Sequence, residues 1–140
     1  MTGYPPKDIF SIAIGDNVAT WHTVSEKEIV AFAEVTGDRN PIHLDAVYAA
    51  QTPFKERIAH GMLTASYFAS LFGTVLPGPG AIYVSQTLHF KAPVKINDTV
   101  LAKVTVTGKD EERRRVSFEC ICKVGEKIVL TGEAVLQLPA

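Results

Sequence analysis

The sequence predicts an α+β domain in which one long buried helix is held in a curved antiparallel sheet, and three observations carry that prediction. Residues 61 to 90 contain no Asp, Glu, Lys or Arg. The second half of the chain alternates with period two in four segments. The links between segments are short, "KDEERR" and "VGEK" among them, which favours hairpins and antiparallel pairing. At 140 residues the chain is most simply one domain, 1–140, with no repeat, low-complexity tract or linker to divide it.

The first clear element is "SEKEIVAFAEVTG". Ser25 and Glu28 have the spacing of a capping box and Gly37 stands where a helix would stop, so a helix from Glu26 to Thr36 is expected. It delivers the chain into "DRNPIH", where Pro41 disfavours helix at Asn40 and removes a backbone donor, predicting a stiff, irregular loop. A second helix is expected from Gly61 to about Leu76, ended by "PGPG", a turn whose glycines lack the fuller spacing of a phosphate loop. A membrane span needs roughly 20 mostly apolar residues. Only about 16 precede these prolines, with Thr64, Ser66, Ser70 and Thr74 interspersed. A helix apolar nearly all round then belongs inside a protein, with Tyr67, Phe68 and Phe72 chiefly in the core.

Four strand segments follow. Ile82, Val84, Leu88 and Phe90 share a face of the first; Val100, Ala102, Val104 and Val106 share one in the second. The third aligns Val116, Phe118, Cys120, Cys122 and Val124, and the last aligns Ile128, Leu130, Gly132, Ala134 and Leu136. Gly132 and Ala134 would let the buried helix approach closely. Cys120 and Cys122 lie side by side on a strand, in poor disulfide geometry and with no second pair to complete a metal site, so both read as reduced core thiols. His22 and His89 read as strand residues, and "ERRR" at 112–115 as a solvated hairpin tip.

A formal charge of -1 with acids and bases intermixed leaves no electrostatic footprint for nucleic acid or an anionic membrane. The N-terminus shows no basic region followed by an apolar run, so the expected compartment is the cytoplasm. What remains is chemistry. Asp38 and Asn40 alone would read as an Asx turn ending a helix. Pro41, His43 and the later "HGM" change that reading to a site.

"DRNPIH", followed by "AHGMLTASYFASLFG" and "GAIYVSQTLHFKAPVKINDTV", resembles the MaoC-like branch of the hot-dog fold, and within it the short single-domain (R)-specific enoyl-CoA hydratases. The similarity runs from about Ser25 to the end. Its motifs are Asp-x-Asn-Pro-x-His and a His-Gly-Met that opens the long helix. The resemblance implies an enoyl-CoA or 3-hydroxyacyl-CoA substrate, no metal and no organic cofactor. It also implies a homodimer whose sheets join edge to edge.

Hydrating an enoyl thioester needs a base for water, an acid for Cα and donors for the enolate-like oxygen. By the same match Asp38 and His43 are the catalytic pair, the carboxylate as base and the imidazole as proton donor or orienter, a division the sequence leaves open. Gly61 would offer a helix N-terminal N–H as oxyanion hole, its missing side chain letting the thioester come close. Asn40 and Pro41 would support the site. Ala69, Phe72 and Leu136 would line the acyl pocket, Phe72 closing its far end and favouring short chains. His60 reads as a structural residue before the helix.

Two other classes stay open. A hot-dog acyl-CoA thioesterase would place a carboxylate on or beside the long helix, and residues 61 to 90 have none. A non-catalytic acyl-CoA binding module is compatible with the fold alone, but the intact Asp38/His43 pair argues against it. Within the hydratase class, a dehydratase acting on an acyl carrier protein, or on a branched enoyl-CoA, is the nearest competitor.

Overall fold

Ser25 caps the first helix as its spacing demands. Its hydroxyl accepts from the Glu28 N–H at 3.2 Å, and the Glu28 carboxylate accepts from the Ser25 N–H at 3.0 Å. Helix α1, Glu26–Thr36, ends at Gly37, whose φ of 80° is the left-handed conformation that a residue without Cβ adopts at least cost. The computed structural model describes residues 3–5 and 7–140. After a short 3-10 turn, Ile9–Ser11, strand β1, Asn17–Thr23, precedes α1; short helices α2, Pro41–Leu44, and α3, Ala46–Ala50, follow it. The long helix α4 spans Gly61–Thr74.

Strands β2, Ile82–Gln86; β3, His89–Phe90; β4, Thr99–Asp110; β5, Arg115–Val124; and β6, Lys127–Gln137 complete an antiparallel sheet in the order β1-β4-β5-β6-β2, with β3 also paired to β6. The β5–β6 link is a tight turn in which Gly125 takes a φ of 59°. The inner faces of β4 and β5 are buried as the alternation predicts, and they share one apolar core with Leu63, Phe68, Leu71 and Phe72 of α4. Cys120 and Cys122 lie in that core as free thiols; burial pushes them up to about 11 and about 12, which leaves them protonated and unreactive.

Several expectations are corrected. "DRNPIH" is irregular only over 38–40; from Pro41 it is helical. Pro41 is compatible with the first position of a helix, where no N–H is needed, and Asn40 caps that helix by accepting from the Ile42 N–H at 3.2 Å. Helix α4 ends at Thr74 instead of Leu76, and a stripe through Met62, Ser66, Ala69 and Gly73 is exposed.

The first strand segment is broken in two, with a register shift between Tyr83 and Ser85, and Ile82, Val84 and Phe90 are exposed. A shift opposite Cys122/Lys123 turns Ile128 outward and buries Val129, because an extra residue inverts every side chain beyond it. Gly132 makes room for a different neighbour from the one expected: a Cβ there would meet the Thr87 carbonyl of the β2–β3 connection. Helix α3 was not expected, and of strand β1 only His22 was read as a strand residue.

His22 and His89 do lie in strands, and His22 pairs with Glu28 while stacking on Tyr67 at 4.1 Å. At the 112–115 tip Arg114 and Arg115 are engaged, donating to the Pro139 carbonyl and to Gln137.

Candidate active site

The α1–α2 junction is built from hydrogen bonds that each span two residues. The Thr36 hydroxyl accepts from the Asp38 N–H at 3.1 Å, and Asp38 Oδ1 accepts from the Asn40 N–H at 3.2 Å. Asn40 then starts α2, and two residues past Pro41 the helical turn carries His43 inward, to 8% exposure.

The segment at 57–58 grips this turn from the other side. Arg57 Nε donates to the His43 carbonyl at 2.7 Å, while its guanidinium pairs with Glu26 on α1 at 2.8 Å. The Ile58 N–H donates to the Ile42 carbonyl, and the Ile58 carbonyl accepts from His43 Nδ1 at 2.8 Å.

That last bond assigns the tautomer. A carbonyl can only accept, so Nδ1 carries the proton and Nε2 of the neutral ring presents a lone pair. Burial lowers the His43 pKa from its ordinary 6.5, and the neighbouring His60 imidazole adds to this; the Ile58 carbonyl and the Asp38 carboxylate pull the other way. Because the folded value lies below the unfolded one, the stability of the neutral ring is fully present above pH 6.5 and is lost as pH falls through the lowered value.

Helix α4 brings the third part. Its first residue, Gly61, is exposed, and its N–H makes no hydrogen bond among the described residues, as expected of a helix N-terminus. Asp38, His43, Gly61 and His60 all line one cavity of about 550 Å³. Its apolar wall is Phe54, Ile58, Phe90, Val94, Val129 and Leu130. A Cβ on Gly61 would lie 2.6 Å from Cε1 and 2.8 Å from Cδ1 of Phe90, so the room left by the missing side chain holds that ring.

Ala69, Phe72 and Leu136 do not line this cavity. Ala69 is on the exposed stripe of α4; Phe72 and Leu136 are core residues, Phe72 packing on Phe118 at 4.7 Å and edge-on to Tyr83 at 5.6 Å. The residues the sequence reading missed are Arg57, Ile58 and the apolar wall. For Phe90 the only signal was the alternation, which grouped it with Ile82, Val84 and Leu88 on one strand face.

One donor atom from each of Asp38, His43 and His60 lies within 4.8 Å of the others. This spacing serves a water better than a metal. Two acceptors less than about 5.5 Å apart can be bridged by one water. The two imidazoles are stacked, with centroids 3.9 Å apart and planes at 29°, so their ring nitrogens lie in two nearly parallel planes, which does not suit two lone pairs directed at one ion.

With this geometry in place the chain can be assigned: it belongs to the MaoC-like domain family, whose domain matches residues 10–127. It is 54% identical over 116 residues to a 3-hydroxybutyryl-CoA dehydratase of Methylorubrum extorquens, covering 83% of this chain and 74% of that protein. It is also 51% identical over 126 residues to an (R)-specific enoyl-CoA hydratase of Rhodospirillum rubrum, covering 90% and 88%. Among solved structures, an (R)-hydratase from A. caviae involved in PHA biosynthesis matches with a TM-score of 0.89 at 41% identity, covering 92% of this chain and 98% of that one. The hot-dog fold implied by the motifs is the fold observed.

Proposed function

We propose that this protein is an (R)-specific enoyl-CoA hydratase, a hydro-lyase that interconverts trans-2-enoyl-CoA and (R)-3-hydroxyacyl-CoA. The observation that carries the reading is that Asp38, His43, whose Nε2 is left as an acceptor, and Gly61, whose N–H makes no hydrogen bond among the described residues, line one largely apolar cavity. Asp38 and His43 hold one water between two acceptors. Its oxygen adds to Cβ and its proton passes to the pair. The electrons of the double bond move to the thioester oxygen, which the Gly61 N–H and the α4 dipole stabilise as charge develops. The pair then returns its proton to Cα. His43 therefore rests as an acceptor, in place of the donor role the sequence had allowed it.

Two predictions arise here. The rate should depend on neutral His43, so kcat/KM is expected to be level above the ordinary imidazole value of 6.5 and to fall only in more acid solution. A rate that already declines above that value on acidification would contradict this, and a pH–rate profile decides it.

The second prediction concerns assembly. Strand β2 is an edge with Ile82, Tyr83 and Val84 exposed, an arrangement that invites pairing with another copy. A homodimer is expected in sedimentation at micromolar concentration; a single species at the chain mass of 15.2 kDa would rule it out.

The reduced core thiols fit work in the cytoplasm. No helix among the described residues is long and apolar enough to cross a membrane. Hydrolysis is the reaction to exclude: α4 carries no carboxylate, and thiol release from butyryl-CoA or crotonyl-CoA should stay at the uncatalysed rate while crotonyl-CoA loses its conjugated absorbance. Thiol release at the rate of absorbance loss would replace the hydratase reading with a thioesterase.

A further inference from the structure

The site holds one buried polar group that the reaction does not use. His60 is 1% exposed and is the N-cap of α4, yet its side chain caps nothing. Its Nε2 instead donates to the Asp38 carbonyl at 3.0 Å, across 22 residues of sequence. One face of its ring stacks on His43 at 3.9 Å, and Phe32 of α1 packs against it at 4.8 Å. Its backbone carbonyl accepts from Leu63 and Thr64, which fastens the ring to the start of α4 and so to Gly61.

An apolar ring of the same size could pack against Phe32 and His43 equally well. It would leave the Asp38 carbonyl without its donor. The imidazole therefore does something that packing does not require.

We propose that His60 is a positioning residue that sets the geometry of the Asp38/His43 pair, holding the Asp38 peptide through Nε2 and the His43 ring by its face, and tying both to the Gly61 end of α4. This rests on the hydratase reading above. The charged and titratable groups facing His43 are Asp38 on the preceding loop, His60 at the N-cap of α4, and Arg57, which donates to the His43 carbonyl. Of these, His60 opposes a proton on His43 and Asp38 favours one. Loss of the imidazole should thus move two things together: the placement of Asp38 and the acidity of His43.

Two variants separate the two contacts. His60→Phe keeps a ring to stack on His43 and loses the donor; His60→Gln keeps an amide N–H within reach of the Asp38 carbonyl and loses the ring. In crotonyl-CoA hydration, His60→Phe is expected to lower kcat about tenfold or more, with KM little changed, as displaced reacting groups do. His60→Gln should recover part of that loss. In both variants the His43 ring, followed by NMR titration, should titrate at a pH different from that in the wild type.

Wild-type kcat in folded His60→Phe, or unchanged His43 titration in both variants, would reduce His60 to a core residue and overturn the proposal. If His60→Phe does not fold, His60→Gln decides by the same two readouts. Wild-type protein that fails to hydrate crotonyl-CoA would defeat the functional reading, and the NMR titration would then decide the role of His60 without any turnover.

Discussion

Asp38→Asn and His43→Ala are each expected to lower kcat for crotonyl-CoA hydration by on the order of a hundredfold or more, as loss of positioned acid/base groups does. Asn keeps the size of Asp and its amide oxygen can still accept the Asn40 N–H, so the turn into α2 survives and only the carboxylate's charge and basicity are lost. His43→Ala removes the ring that Ile58 and His60 orient. The double variant should be little worse than the poorer single one, because two groups gripping one water act as a unit. Steady-state kinetics on folded protein provides the check. Near-normal rates in both single variants would leave "DRNPIH" as a capped turn with no catalytic part.

Gly61→Val should cost on the order of a hundredfold in rate, the loss typical of one oxyanion donor, with much less effect on stability. The reason differs from the one the sequence suggested. The space beside Gly61 is already occupied by Phe90, so a valine must displace that ring and fill the approach to the N–H. Phe90 is 55% exposed on a two-residue strand and can swing aside, and for that reason the fold should survive. Thermal melting and kcat measured together test this; near wild-type turnover in the variant would remove Gly61 from the oxyanion position.

The regular parts of this fold were legible because each is written in a local pattern. The Ser25/Glu28 box, the Gly37 stop and the inner faces of β4 and β5 depend only on spacing within one element. What failed depends on insertions and partners. A bulge adds one residue to a strand and inverts all that follows, and nothing in the alternation of "GEKIVLTG" marks Val129 as that residue.

The site divides in the same way. Asp38, Asn40, His43 and Gly61 sit in compact motifs, whereas Arg57, Ile58 and the cavity wall come from segments distant in sequence and carry no motif of their own. The acyl-pocket residues were carried over from the resemblance, and Phe72 and Leu136 lie in the core, away from the cavity, in this chain.

The central claim is that the pair adds one water to one face of a trans-2-enoyl thioester, and the configuration of the product tests it most directly. Crotonyl-CoA incubated with the protein and resolved by chiral chromatography should yield (R)-3-hydroxybutyryl-CoA with no free coenzyme A, since a water held between Asp38 and His43 can reach only one face of a substrate anchored at Gly61. The (S) product, a racemic mixture or free coenzyme A would contradict it.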